Sequence, residues 1–289
     1  MSLSLLRIGS ILTALALVGC TSDATTTSTS DQQEQHVARV EYGDDPSQFV
    51  DLVVPAGDGA APVVVLLHGG FWSAQYGLDL MVPLAQDLQA RGYATANVEY
   101  RRVGNGGGFP TTFDDVAAAV DALADVVDVP TGRALDLDRV AVVGHSAGGH
   151  LAAWVASRGA LPAGAPGADP RVEPCAAVSQ AGVLALADAA TSAVGGRAVT
   201  AFVGATPDED PGRYALVDPV ALVPPDAPLL LVHAPRDPLV PVEQSRTYAA
   251  AAPDHAELAE VDGDHFTVID PTDDSWARTV AWLDRTCRG

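Results

Sequence analysis

The sequence contains no lysine. All 16 of its basic residues are arginine, they stand against 37 acidic residues, and the formal net charge is −21. A chain this acidic is repelled by phosphate backbones and by anionic membrane surfaces, which argues against nucleic-acid binding and against charge-driven membrane binding. Closely spaced cysteine pairs and paired histidines at helical spacing are also missing, so the sequence predicts no metal site.

No apolar run is long enough to cross a bilayer, which takes about 20 residues. The apolar run nearest the N-terminus follows Arg7 and ends in Leu-Val-Gly-Cys at residues 17–20. This ending resembles the bacterial lipobox, in which the cysteine is lipidated and becomes the new N-terminus. We therefore expect residues 1–19 to be a lipoprotein signal peptide and Cys20 to anchor an exported protein to the outer face of the cell membrane. An ordinary secretion signal with an incidental cysteine is the alternative.

Residues 20–35 are rich in Thr, Ser, Asp and Gln and lack apolar periodicity, which is typical of a flexible tether. The remainder, 36–289, is long and apolar enough to form one large domain with a substantial core. Beyond Cys20, the chain has only Cys175 and Cys287. An exported protein can keep a disulfide between them, but two separate buried thiols fit the sequence equally well.

Apolar segments alternate with segments of helical spacing along the domain. Continuous apolar runs are typical of parallel strands buried on both faces, so the alternation predicts an α/β fold: a mostly parallel sheet with helices on both faces. The irregular stretch 181–226 is rich in Gly, Pro and Asp, and is expected to form a small cap-like insertion. The predicted strands are 37–42, 49–54, 63–67, 93–100, 139–143, 176–180, 229–233 and 256–261, and the predicted helices are 78–91, 113–127, 151–156, 243–252 and 275–287.

The sequence Gly-His-Ser-Ala-Gly-Gly at 144–149 joins a predicted strand to a predicted helix. Strand, Gly-x-Ser-x-Gly and helix together are the nucleophile elbow, a turn so tight that only very small residues fit on either side of the serine. The turn exposes the serine hydroxyl near the positive end of the helix. Ser146 is therefore the candidate nucleophile.

Other chemically useful residues also follow predicted strands, and ligands of such sheets bind at the carboxyl ends of the strands. After the strand 63–67 comes the His-Gly-Gly loop, in which the amides of Gly69, Gly70 and Phe71, with that of Ala147, are candidates for an oxyanion hole. Trp72 and His145 are candidates for the substrate pocket.

A serine nucleophile needs a base, and the base needs an acid that orients it. His265 leaves the last predicted strand at its carboxyl end, whereas His255 stands before that strand, at the opposite edge of the sheet. Asp237 follows the strand 229–233 and is the candidate acid. Asp264 is the runner-up, but as the immediate neighbour of His265 it is expected to point away from it.

The order Ser146, Asp237, His265 resembles that of α/β-hydrolases. Together with His-Gly-Gly-Phe-Trp, Glu-Tyr-Arg, Gly-His-Ser-Ala-Gly-Gly-His and Asp-His-Phe, it resembles the carboxylesterase branch near kynurenine formamidase and the BD-FAE group. The stretch 109–115 is similar to hormone-sensitive-lipase-type esterases, although Phe71 stands where those have a third glycine. The resemblance implies cofactor-free hydrolysis of a small-molecule carboxylic ester or aryl formamide through an acyl-enzyme.

Two other functions remain open at this point. Asp-Pro-Leu-Val-Pro at 237–241 is shared with prolyl-oligopeptidase-like serine peptidases, but the large N-terminal domain of those enzymes is not expected here. A non-enzymatic binding module with a hydrolase fold is the third possibility. The intact serine, acid, histidine and glycine loop speaks against it.

Overall fold

The computed structural model describes residues 37–126, 131–192 and 195–287, which all belong to the unit Gln35–Gly289. The expected signal peptide 1–19, the tether 20–35 and Cys20 lie outside the described residues. No described helix is long and apolar enough to cross a membrane.

The described part of the chain forms an eight-stranded sheet. Its strands are β1 Ala38–Glu41, β2 Phe49–Val53, β3 Ala61–Leu67, β4 Ala94–Glu99, β5 Leu135–His145, β6 Ala176–Gln180, β7 Leu229–His233 and β8 Ala256–Glu260. Their order in the sheet is β1-β2-β4-β3-β5-β6-β7-β8. β1 pairs antiparallel with β2, β2 pairs antiparallel with β4, and all other neighbours pair parallel. This confirms the predicted α/β architecture and all eight predicted strands to within a few residues.

Eight α-helices are described, and they cover both faces of the sheet. They are α1 Val82–Ala90, α2 Thr111–Asp121, α3 Ala147–Val155, α4 Leu186–Ala190, α5 Gly196–Val203, α6 Pro211–Val217, α7 Glu243–Ala251 and α8 Asp274–Cys287. Two predicted helices are shorter than expected: one begins as a 3-10 turn at Leu78–Met81, and the other ends as a 3-10 turn at Ala122–Asp125. The predicted end of the second at Val127 lies outside the described residues.

The central strand β3 shows why the sheet is buried on both sides. All seven of its residues are buried, and it is paired in parallel with β4 and β5. Val63, Val65 and Leu67 face the core that contains α2 and α3, whereas Val64 and Leu66 face the core that contains α1 and α8. Because side chains alternate along a strand, a continuous apolar run supplies both cores at once.

The cap-like segment 181–226 contains more regular secondary structure than its irregular sequence pattern indicates. It contains α4, α5, α6 and a 3-10 turn at Pro219–Leu222. The helices are five, eight and seven residues long, shorter than the window of about 11 residues in which helical periodicity can be recognised. Start signals are present, since Asp210 caps α6 by accepting a hydrogen bond from the Arg213 amide at 3.0 Å.

Cys175 and Cys287 form a disulfide, with their Cα atoms 5.8 Å apart and a separation of 112 residues. The bridge joins the residue before β6 to the last residue of α8. Of the two alternatives that the sequence left open, the structure therefore contains the disulfide.

Candidate active site

Ser146 occupies the sharp turn between β5 and α3. Its backbone angles, φ 55° and ψ −117°, lie in a region that side-chain-bearing residues seldom adopt. A Cβ added to Gly144 would lie 2.0 Å from the Gly148 carbonyl oxygen, and one added to Gly148 would lie 2.0 Å from that of Leu67. The two glycines are therefore required sterically. The turn is fixed further by the Ser146 amide, which donates to the Gln180 carbonyl at 2.8 Å.

His265 and Asp237 form a hydrogen-bonded pair. The His265 Nδ1–H group donates to Asp237 Oδ2 at 2.6 Å, and both side chains are buried. Asp237 Oδ1 accepts from the amides of Leu239 and Val240 at 2.8 and 2.9 Å. Burial alone would raise the pKa of Asp237, but hydrogen bonds from His233, His265 and the two amides hold it well below its usual range. The carboxylate thus stays ionised and leaves His265 Nε2 free to accept a proton.

The runner-up acid Asp264 caps a turn, and the other candidate histidine, His255, lies at the opposite edge of the sheet. Asp264 is exposed, and its Oδ1 accepts from the amides of Phe266 and Thr267 at 3.0 and 3.1 Å, so it caps a turn. His255 is exposed and precedes β8, where its carbonyl accepts from the Leu229 amide at 2.8 Å. Since Leu229 begins β7, His255 lies at the amino-terminal edge of the parallel strands, away from Ser146.

The His-Gly-Gly loop packs directly against the elbow. A Cβ on Gly69 would lie 3.0 Å from the Ser146 Cβ atom. The next residues are left-handed, with φ 106° at Gly70 and φ 57° at Phe71, so Phe71 adopts the strained conformation that glycine usually supplies. The amides of Gly70, Phe71 and Ala147 donate to no acceptor within the described ranges. The candidate oxyanion hole thus has free donors.

His68 braces this loop. Burial lowers the pKa of His68 to about 3, so the ring is neutral. Its Nδ1–H donates to the Gly69 carbonyl at 2.8 Å, and Nε2 accepts from Arg102 Nη1 at 3.1 Å. Arg102 also donates to the Tyr76 carbonyl at 2.6 Å and forms a buried ion pair with Glu99. A rigid polar network therefore supports the loop that would bind the oxyanion.

His145 joins the elbow to the loop that carries His265. Its Nε2–H donates to the His265 carbonyl at 2.8 Å, and the two rings lie 4.6 Å apart. Burial, followed by the nearby His265, lowers the pKa of His145 to about 3, so it stays neutral and keeps this donor. His145 is absent from the lining of the cleft. The structure gives His145 a contact that positions the His265 loop, and its predicted place in the substrate pocket stays a prediction.

Gln180 is a site residue that the sequence prediction missed. Its carbonyl accepts from the Ser146 amide, and its side-chain amide donates to the Val268 carbonyl three residues after His265. Like His145, it therefore connects the elbow at Ser146 to the loop of His265. A signal existed, since Gln180 ends β6 and so lies at the carboxyl edge that holds the other site residues.

An apolar cleft opens beside Ser146. It contains about 480 Å³ of empty space, including the part open to solvent. Trp72 lines it and stacks on Phe202 with ring centres 4.6 Å apart. Most of the wall comes from the cap-like segment 181–226 and from residues 239–241, which follow Asp237. The described lining residues are Phe71, Trp72, Ser146, Ala147, Val183, Ala189, Ser192, Gly195, Val199, Leu239, Val240, Pro241 and Gln244.

Metal ligands do not converge here. Within residues 37–126, 131–192 and 195–287, no group of three or more His, Cys, Asp or Glu side chains could hold a metal ion.

Known structures share this architecture. Esterase B from Lactobacillus rhamnosis superposes with a TM-score of 0.74 at 20% identity, covering 89% of this chain and 87% of that one. A truncated carbohydrate esterase from gut microbiota has a TM-score of 0.73 at 19% identity, covering 89% and 99%. At these identities the likeness establishes the fold, which is that of the α/β-hydrolases.

Sequence relatives extend the comparison. Esterase LipC of Mycobacterium tuberculosis is 31% identical over 228 residues, which are 74% of this chain and 54% of the relative. The isoprenylcysteine alpha-carbonyl methylesterase ICME of Arabidopsis thaliana is 34% identical over 113 residues, 39% of this chain and 25% of the relative. The chain thus spans about half the length of LipC and less of ICME. The family model of BD-FAE matches residues 50–251, and the chain belongs to the BD-FAE family of α/β-hydrolases.

Proposed function

We propose that the protein is a carboxylesterase in which Ser146 is the nucleophile, His265 the general base and Asp237 the acid that orients it. The observation that carries the proposal is the 2.6 Å hydrogen bond between His265 Nδ1 and Asp237 Oδ2. It orients the imidazole so that Nε2 is left to accept a proton, at the edge of the sheet where the elbow holds Ser146.

The reaction is acyl transfer in two halves. As His265 Nε2 takes the Ser146 proton, the serine oxygen bonds to the ester carbonyl carbon, and the carbonyl oxygen becomes an anion. Free amides of Ala147 and of Gly70 or Phe71 donate to that anion, and each such donor is typically worth about 10²–10³ in rate. The intermediate collapses, the alcohol leaves with the proton from His265, and a water molecule then repeats the sequence to release the acid and restore Ser146.

The apolar cleft beside Ser146 supports an ester with an apolar acyl group. Relatives named as esterases support the same reaction class. The test is a panel of p-nitrophenyl esters of increasing acyl length, with N-formylkynurenine and a prolyl-p-nitroanilide assayed beside them. Esters are expected to have the highest kcat/KM. Turnover of the formamide or the anilide alone would contradict the carboxylesterase assignment, and no turnover of any compound would favour a binding module.

We propose further that the protein is exported and anchored by a lipid on Cys20. Its support is the lipobox-like sequence at 17–20, together with the Cys175–Cys287 disulfide, since disulfides persist mainly in oxidising compartments outside the cytoplasm. A diacylglyceryl group supplies two acyl chains, which suffices for stable anchoring.

Replacing the lipidated cysteine is expected to release the protein. Cys20→Ser should move it from the membrane fraction to the soluble fraction, whereas Thr26→Ser, a control in the expected tether, should leave it in the membrane fraction. Immunoblots of fractionated cells and an intact-mass measurement check this. A wild-type protein that is already soluble, with no mass added at its N-terminus, would refute the anchor.

A further inference from the structure

Gln244 is the polar side chain that α7 places in the wall of the apolar cleft. It is only 9% exposed. Its Oε1 accepts a hydrogen bond from the Ala185 amide at 2.8 Å. Because a backbone amide can only donate, this contact fixes which end of the side chain is oxygen and which is NH₂.

The NH₂ group of Gln244 is oriented but unused. It donates to no acceptor in the described part of the chain. It is also not among the buried polar atoms that are sealed from solvent without a partner. Since the side chain is nine-tenths buried and lines the cleft, the cleft is where this donor is accessible. Apolar neighbours such as Val183, Val199 and Leu239 share the wall, and a donor among them is costly unless it meets an acceptor.

The cleft lies on the acyl side of the reaction. The leaving alcohol must be near His265, because His265 returns the proton to it. His265 does not line the cleft, whereas Ser146 and the oxyanion-hole candidates Phe71 and Ala147 do. An ester bound for attack on its carbonyl therefore directs its acyl chain into the cleft and its alcohol away from it.

We infer that Gln244 makes the cleft selective for acyl groups that carry a hydrogen-bond-accepting oxygen, such as a keto, ether or hydroxyl oxygen, along an otherwise apolar chain. The inference rests on the proposed carboxylesterase function and narrows its substrate class. The apolar wall binds the chain, and the fixed amide recognises one oxygen at a set distance from the ester carbonyl.

The test moves a keto group along the acyl chain. The substrates are p-nitrophenyl octanoate and its 4-, 5-, 6- and 7-oxo derivatives, which share one leaving group and nearly one shape. One keto position is expected to raise kcat/KM about 3- to 10-fold over octanoate, the range of one net hydrogen bond, and the other positions are expected to lower it. A kcat/KM that is equal to or below that of octanoate at every position overturns the inference, whether or not any variant folds.

Gln244→Glu is the matched variant. It keeps an oxygen for the Ala185 amide and removes the NH₂ donor, so the keto preference should fall to one or below. Gln86→Glu makes the same chemical change on an exposed position of α1 and should keep the wild-type preference. Thermal unfolding of both variants checks their folding. Retention of the keto preference by folded Gln244→Glu would overturn the inference.

The two levels of the proposal fail differently. Hydrolysis of octanoate without a keto preference overturns the role of Gln244 alone. Hydrolysis of no ester in the series, and none in the shorter-chain panel, overturns the carboxylesterase function and this inference with it.

Discussion

Ser146→Ala is expected to reduce kcat/KM for p-nitrophenyl esters by about 10⁴–10⁶-fold, the usual loss when a serine nucleophile is removed. The substitution deletes one oxygen and leaves intact the amide contact to the Gln180 carbonyl that fixes the turn. The domain should therefore fold normally. Steady-state kinetics, with circular dichroism as a folding check, measure both effects.

Covalent labelling gives an independent measure of the same residue. A fluorophosphonate probe should label the wild-type protein and not Ser146→Ala. Ser179→Ala is a demanding control, because Ser179 is a fully buried serine on the neighbouring strand β6, yet its labelling should match the wild type. Undiminished labelling of Ser146→Ala would show that another residue is the nucleophile.

Asp237→Asn is expected to lower kcat by about 10⁴-fold while the protein stays folded. The asparagine can still accept from the amides of Leu239 and Val240 through its oxygen. Its NH₂ group would then replace the oxygen that accepts from His265 Nδ1–H. The imidazole would be driven to the other tautomer, with its proton on Nε2, where it could no longer act as the base.

Two control substitutions test whether the expected effect is specific to Asp237 and His265, since each removes another carboxylate or another imidazole. Asp264→Asn removes a carboxylate beside His265 that only caps a turn, and His255→Ala removes an exposed imidazole at the opposite edge of the sheet. Both should retain kcat within a few-fold. His265→Ala should lose activity as Asp237→Asn does. If His255→Ala lost activity and His265→Ala kept it, His255 and not His265 would be the base.

The strands could be predicted because a strand that is buried on both faces has a continuous run of apolar residues in its sequence. The run Val63–Leu67 is apolar at every position, and in the structure it feeds both cores. Once such strands are recognised, their carboxyl ends fall along one edge. That is why Asp237 and His265, 28 residues apart, could be expected to meet and do so. That the two residues lie close together follows from the sheet topology alone, and side-chain packing did not have to be known.

Other parts of the site depend on contacts that no local pattern encodes. His145 was expected in the pocket, and its contact with a backbone carbonyl 120 residues away was not expected. Gln244 accepts from the Ala185 amide, which is 59 residues away in the sequence. Nothing in the sequence of α7 indicates that this side chain contacts the cap. The left-handed conformation of Phe71 is likewise imposed by the loop around it, since its side chain disfavours it.

The position of the Cys175–Cys287 disulfide determines what a protease could separate, because the three candidate catalytic residues lie on both sides of Cys175 in the sequence. Its covalent ring encloses the cap, Asp237 and His265, whereas Ser146 lies on the chain before it. A protease that cuts once within the cap therefore cannot release Asp237 and His265 from Ser146. The nicked protein stays one covalent molecule that migrates as a single band without reductant and as two with it.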